Sequence, residues 1–201
     1  FFKSKNDEVL FINKIFKSKF FYNSNSLKNI LTSKNEIYNV PYRLNIKNDK
    51  YNNQVFMNFI SKKIRLNIEN YMDYDDLSKN GTIDILFINK STSLDYEIKK
   101  NFLTFRSKGN NNFYEGKIDF KPFYLTANFN YDGLSFKDFL RQDTILFDLI
   151  KSEMLNNKNL NINLALNVKD IINIDELNNL NLNIAIEEGD INPSNSSIMW
   201  K

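Results

Sequence analysis

The chain has 201 residues, of which 42% are hydrophobic and 25% charged, a balance typical of a folded protein with a buried core. Its net charge is only +3 and its charged residues are interspersed, so nothing indicates a nucleic-acid partner. Cysteine and histidine are absent, which excludes disulfides and thiolate nucleophiles and removes the commonest metal ligand and general base. An enzyme would have to use carboxylates, lysine or tyrosine, and no cofactor is expected.

The N-terminal residues 1–38 show little regular periodicity and are expected to form the end of a preceding repeat. One helical turn is predicted at residues 26–31. No apolar run reaches the roughly eighteen residues of a membrane-spanning helix. The chain begins without a signal-peptide core and ends inside a predicted strand, so we expect a piece of a longer protein whose anchor lies elsewhere.

From residue 42 onward, apolar and polar residues alternate, which predicts a series of β-strands. Lys100 and Asn101 predict a tight turn, and Pro122 predicts a break because it cannot donate to a central strand pair. A turn or short helix is expected at residues 170–177. In chain order, the predicted strands are 42–47, 63–69, 83–88, 94–99, 102–106, 114–120, 123–131, 160–168 and 180–187.

The last two of these strands have the clearest alternation, with asparagine, alanine or glutamate between the apolar residues. In a strand the two sets face opposite sides, so each strand has one apolar and one polar face, as in an antiparallel sheet wetted on one side. The asparagines belong to this pattern, which favours strands over a prion-like tract. The apolar set consists of Leu160, Ile162, Leu164, Leu166, Leu180, Leu182, Ile184 and Ile186.

One segment has helical spacing instead. Phe136, Phe139, Leu146 and Leu149 belong to an apolar set that predicts one main α-helix near residues 135–156, covering one end of the sheet or packing on its edge. No linker is apparent. Residues 1–201 are therefore predicted to form a single, mostly β segment, an antiparallel, twisted and curved sheet with that helix.

Two acidic clusters are the nearest approach to a chemical site. Asp73, Asp75 and Asp76 lack the glycine and terminal glutamate of a calcium-binding loop. Residues 187–190 lie at a predicted turn, where charged residues are normal. Both clusters are interpreted as solvated loops, and we assign no catalytic or metal site. A carboxylate-dependent glycan hydrolase would need two acidic side chains about 5–9.5 Å apart across a cleft.

The order of elements in the second half carries a family resemblance. Residues 116–123 read Gly-Lys-Ile-Asp-Phe-Lys-Pro-Phe, and the helical segment, a strand and a short turn follow. The last of these strands leads into Gly189-Asp190-Ile191, and residues 39–43 begin a similar β-unit. In these features the chain resembles the C-terminal region of the AsmA-like family of Gram-negative envelope proteins, from about residue 39 to the end.

The resemblance implies a non-enzymatic, periplasmic groove of repeated β-units that bridges the inner and outer membranes. It implies passage of phospholipid or another acyl-chain lipid, or support of outer-membrane assembly with envelope protein partners. Its anchor in the inner membrane would lie outside this sequence, and the eight apolar residues of the last two strands would face the lipid. The alternative is a structural or adhesive β-domain of a surface protein, with a closed core and no lipid. Burial of the apolar residues distinguishes the two.

Overall fold

The computed structural model describes residues 13–37, 39–75, 78–87, 90–109, 112–135 and 158–200. Strands make up 76% of these residues and pair mostly antiparallel, so the prediction of a mostly β, mostly antiparallel fold is confirmed. No helix occurs among them. The predicted helix at residues 135–156 lies outside the described residues, apart from Ser135.

The chain divides into two compact units, one within residues 11–103 and one within residues 104–201. In the described part of the N-terminal unit, strands follow one another in chain order, each antiparallel to the next. Residues 14–37, expected to close a preceding repeat, pair within this same meander. The single-segment organisation stays a prediction. The strands are β1 (Lys14–Asn23), β2 (Lys28–Ile37), β3 (Val40–Asp49), β4 (Gln54–Ser61), β5 (Leu66–Tyr74), β6 (Lys79–Phe87) and β7 (Lys90–Lys99).

The register of this meander separates apolar from polar side chains. Leu44, Phe59 and Ile68 lie directly opposite one another on β3, β4 and β5. One position along, Asn45 of β3 lies opposite Asn58 of β4. Because successive side chains of a strand point to opposite faces, the N-terminal unit has one mainly apolar and one mainly polar face.

The turn between β1 and β2 corrects the helical turn predicted at residues 26–31. The Asn23 side-chain oxygen accepts hydrogen bonds from the backbone N–H groups of Asn25 (3.0 Å) and Ser26 (3.2 Å), which closes a tight turn. Lys28 already belongs to β2 and lies opposite Asn23. The prediction was wrong because strand pairing on both sides of β2 outweighs the weak local spacing.

The Asp49 carboxylate, at the end of β3, makes the stability of the fold depend on pH in the acid range. Its Oδ2 lies 2.8 Å from the Lys28 Nζ, and its Oδ1 accepts a hydrogen bond from the Asn52 N–H at 3.2 Å. Lys28 above all, and then Asn52, lower the pKa of Asp49 from 3.8 to about 2. A carboxyl group with a lowered pKa stabilises the folded state above its unfolded pKa. This contribution is lost as the pH falls from about 4 to about 2.

Replacing Lys28 with Gln is expected to raise the pKa of Asp49 toward 3.8, because it removes the main partner of the carboxylate. An NMR pH titration of the Asp49 side-chain carboxyl carbon measures this directly. Lys14→Gln is the matched control, since it removes another 2.8 Å ion pair, with Glu36, and should leave the pKa of Asp49 unchanged. An Asp49 that titrates near 3.8 in the wild-type chain would contradict the pairing.

The C-terminal unit begins within β8. Its strands β9 and β10 pair antiparallel, as do β11 and β12. Two short strands, β13 and β14, pair with β12 on the side away from β11. The predicted turn after β11 is confirmed at residues 172–176. The strands are β8 (Phe102–Ser107), β9 (Asn112–Phe120), β10 (Phe123–Leu134), β11 (Ile162–Ile171), β12 (Leu177–Glu187), β13 (Asp190–Pro193) and β14 (Ser197–Trp200).

One strand pair of this unit is parallel. β10 and β11 run in the same direction, with Leu125 opposite Ile162 and Leu134 opposite Ile171. A parallel pair needs a long crossover that returns the chain to the starting end of the sheet. The residues between Leu134 and Ile162 make this connection. The alternation of apolar residues did not predict it, because a period of two fixes the faces of a strand but not its direction.

Candidate functional site

Pairing of β11 with β12 brings together the apolar stripes that the sequence predicts on these strands. The apolar residues from Ile162 to Val168 each lie directly opposite an apolar residue of β12. Seven of the eight predicted lining residues therefore share one face, whereas Leu160 precedes β11 and is covered by protein, with 2% of its surface exposed. The opposing pairs are Ile162 with Ile186, Leu164 with Ile184, Leu166 with Leu182, and Val168 with Leu180.

This apolar face continues across β10 and β9, which the sequence reasoning did not include in the lining. The neighbours on β10 lie opposite β11 in a parallel register, and those on β9 lie opposite β10. The sequence does show apolar alternation in residues 114–120 and 123–131. Alternation alone does not give the order of the strands in the sheet, so it could not show that these strands extend the same face. The added residues are Leu125, Ala127, Phe129 and Tyr131 on β10, with Tyr114, Gly116 and Ile118 on β9.

Protein covers this face only in part. Leu164 and Leu166, like Leu182 and Ile184 opposite them, are half-buried. Complete burial is confined to a few positions of the face, among them Val168, of which 2% is exposed. A closed β-sandwich would bury most inward-facing residues against a second layer. The described part of the C-terminal unit therefore presents a partly open apolar surface.

The apolar face of the N-terminal unit is also half-open, but it includes fixed polar groups. Three polar residues on this face are buried, namely Asn35, Ser61 and Asn70. The Ser61 hydroxyl donates a hydrogen bond to the Pro41 carbonyl at 2.7 Å. The Asn70 Oδ1 has no hydrogen-bond partner in the described chain. These groups interrupt the apolar surface, so the C-terminal unit has the more uniform one.

Tyrosine hydroxyls are the titratable groups with shifted pKa values on the apolar faces. Burial raises the pKa of Tyr131, and the neighbouring hydroxyl of Tyr114, whose ring centre lies 5.2 Å away, raises it further. Burial also raises the pKa of Tyr96, and a hydrogen bond from Asn70 partly offsets this. A phenol with a raised pKa stays protonated at neutral pH, so neither tyrosine is suited to act as a general base.

The two acidic clusters singled out in the sequence do not form a metal site in the described residues. Asp75 accepts a hydrogen bond from the Ser78 N–H within its own loop, at 2.6 Å, while Asp73 lies in β5 and Asp76 lies outside the described residues. Residues 187–190 form the turn between β12 and β13, and their acidic side chains are exposed. Within the described ranges, no three acidic side chains are grouped so that they could hold a metal ion.

Comparison of the chain with protein-family models, with curated proteins and with solved structures gives no match. Across the described ranges, no helix is long and apolar enough to cross a membrane.

Proposed function

We propose that this chain is a non-enzymatic segment that holds the acyl chains of a phospholipid, or of another acyl-chain lipid, against an apolar sheet face. The observation that carries the proposal is the half-buried, only partly covered face on which apolar residues from β9 to β12 lie in register. The opposite face carries Asn130, Asn167 and Asn181 in one row across β10, β11 and β12. This difference between the faces suits a long apolar ligand that is bound on one side of the sheet.

The attraction between such a ligand and the face depends on area. Removing apolar surface from water contributes roughly 25 cal/mol per Å², so covering about 200 Å² contributes about 5 kcal/mol. The attraction has no preferred direction, so a lipid can slide along Ile162, Leu164 and Leu166 without a fixed site. Leu160 and Ile186 are already covered by protein and stabilise the sheet instead.

The AsmA-like resemblance extends the proposal to the whole protein. The segment would lie in the periplasm, joined to an inner-membrane anchor elsewhere in the longer chain. It would conduct lipid between the inner and outer membranes or support outer-membrane assembly with envelope protein partners. The partly open face supports this function over a closed structural or adhesive β-domain, in which a second layer of protein would cover the same residues.

Native mass spectrometry of the segment, purified after expression in bacteria, tests the proposal. We expect phospholipid bound in stoichiometric amounts, because covering the half-buried apolar face removes apolar surface from water, which is favourable. Organic extraction of the same sample identifies the lipid. A lipid-free, monodisperse protein would contradict the proposal and favour the structural domain with a closed core.

A further inference from the structure

A row of positive charges crosses the polar face of the N-terminal unit. Lys17 of β1 lies directly opposite Lys34 of β2, and Lys34 lies directly opposite Arg43 of β3. All three side chains are exposed, and in the described residues none of them has an acidic partner. Lys14, on the same edge strand, does pair with Glu36, at 2.8 Å. The row therefore concentrates positive charge that no acidic side chain of the described residues neutralises.

This arrangement works against the stability of the sheet, because like charges directly opposite one another repel. Lysines on an edge strand often protect that edge from pairing with other chains, which accounts for Lys17 and Lys19, because β1 is at the edge of the described strands. Edge protection does not account for Lys34 and Arg43, since β2 and β3 are paired on both sides. Their charges therefore call for a partner that is negatively charged.

The row borders a shallow groove with a volume of about 400 Å³. Lys17, Lys19, Lys34 and Arg43 all line the groove, together with polar residues that include Asn45. The Asn45 Oδ1 is buried, so a ligand in the open groove does not reach it. The groove therefore offers hydrogen-bond donors for an anion.

We propose that this groove binds a phosphate ester. The Arg43 guanidinium and the lysine ammonium groups donate to the phosphate oxygens, and Arg43 offers a bidentate geometry. A glycerol-phosphate lipid headgroup and a soluble polyol phosphate share this chemistry. The site lies on the polar face, so phosphate binding there does not depend on acyl-chain binding to the apolar face and is tested separately.

Calorimetric titration with glycerol 3-phosphate tests the soluble source. Sedimentation with vesicles of phosphatidylglycerol and phosphatidylcholine, against vesicles of phosphatidylcholine alone, tests the headgroup. Lys34→Gln/Arg43→Gln is expected to weaken binding of the effective ligand about tenfold or more, because two charge-assisted contacts are lost. Lys50→Gln/Lys62→Gln is the matched control. Both double variants change the net charge from +3 to +1, by removal of two positive charges, but only the first lies in the groove.

The wild-type chain binding only the anionic vesicles would identify the ligand as a lipid headgroup, provided that Lys34→Gln/Arg43→Gln loses this binding and Lys50→Gln/Lys62→Gln keeps it. The proposal is overturned if neither probe binds the wild-type chain, or if the two double variants lose equal affinity.

Discussion

The double variant Leu164→Asp/Ile184→Asp is expected to lose at least about nine-tenths of the lipid that co-purifies with the wild-type segment. The two side chains lie directly opposite each other on β11 and β12, at half-buried positions of the apolar face. An acyl chain on this face would cover both carboxylates, and removing an unpaired carboxylate from water is strongly unfavourable. Lipid per protein, measured by native mass spectrometry and by extraction, is the readout.

Asn163→Asp/Ala185→Asp is the matched control for this variant. Asn163 and Ala185 are the opposing pair one position along the same two strands, so the control adds the same charges to the polar face. It should retain the wild-type amount of lipid. Circular dichroism checks that each variant is folded. Leu164→Asn/Ile184→Asn is the milder substitute if the aspartates unfold the sheet, and full lipid retention by a folded variant of this pair would contradict the assignment.

The faces of the strands could be predicted from sequence because a period of two determines them locally. Leu164 and Ile184 were placed on one apolar face from their spacing alone, and the register puts them opposite each other. The tight turn at Lys100 and Asn101 could also be predicted from neighbouring residues. It is confirmed, because β7 ends at Lys99 and β8 begins at Phe102. These features follow from neighbouring residues and from the alternation of side chains in a strand.

The parallel pairing of β10 with β11 could not be predicted, because it joins two parts of the chain that are separated by residues 135–161. Nothing local to Leu125 or Phe129 indicates that β10 runs parallel to β11 and extends the apolar face. The charge row could not be predicted for a different reason, since Lys17, Lys34 and Arg43 lie in consecutive hairpins and meet only through the exact register of β1, β2 and β3. Neither the net charge nor the spacing of charged residues along the sequence shows such a row.

A close contact between β6 and its neighbours gives the second large expected effect. Gly81 lies opposite Tyr96 of β7 and Met72 of β5, on the apolar face. A methyl group added at Gly81 would lie 2.5 Å from the Tyr71 carbonyl oxygen and 2.5 Å from the Tyr96 hydroxyl. The ring of Tyr96, of which 7% is exposed, therefore occupies the space that a side chain at Gly81 would need.

Gly81→Ala is expected to lower the free energy of unfolding by about 1–3 kcal/mol, because the added methyl group must displace both the backbone of β5 and a buried ring. The midpoint of urea denaturation measures the change. Gly109→Ala makes the same substitution where no atom lies within 4 Å of the new methyl group, so its midpoint should stay close to that of the wild type. Equal midpoints for the two variants would mean that Tyr96 does not pack over Gly81. The apolar face of the N-terminal unit would then lose Tyr96, the one hydrophobic side chain that is buried among the described residues of this unit.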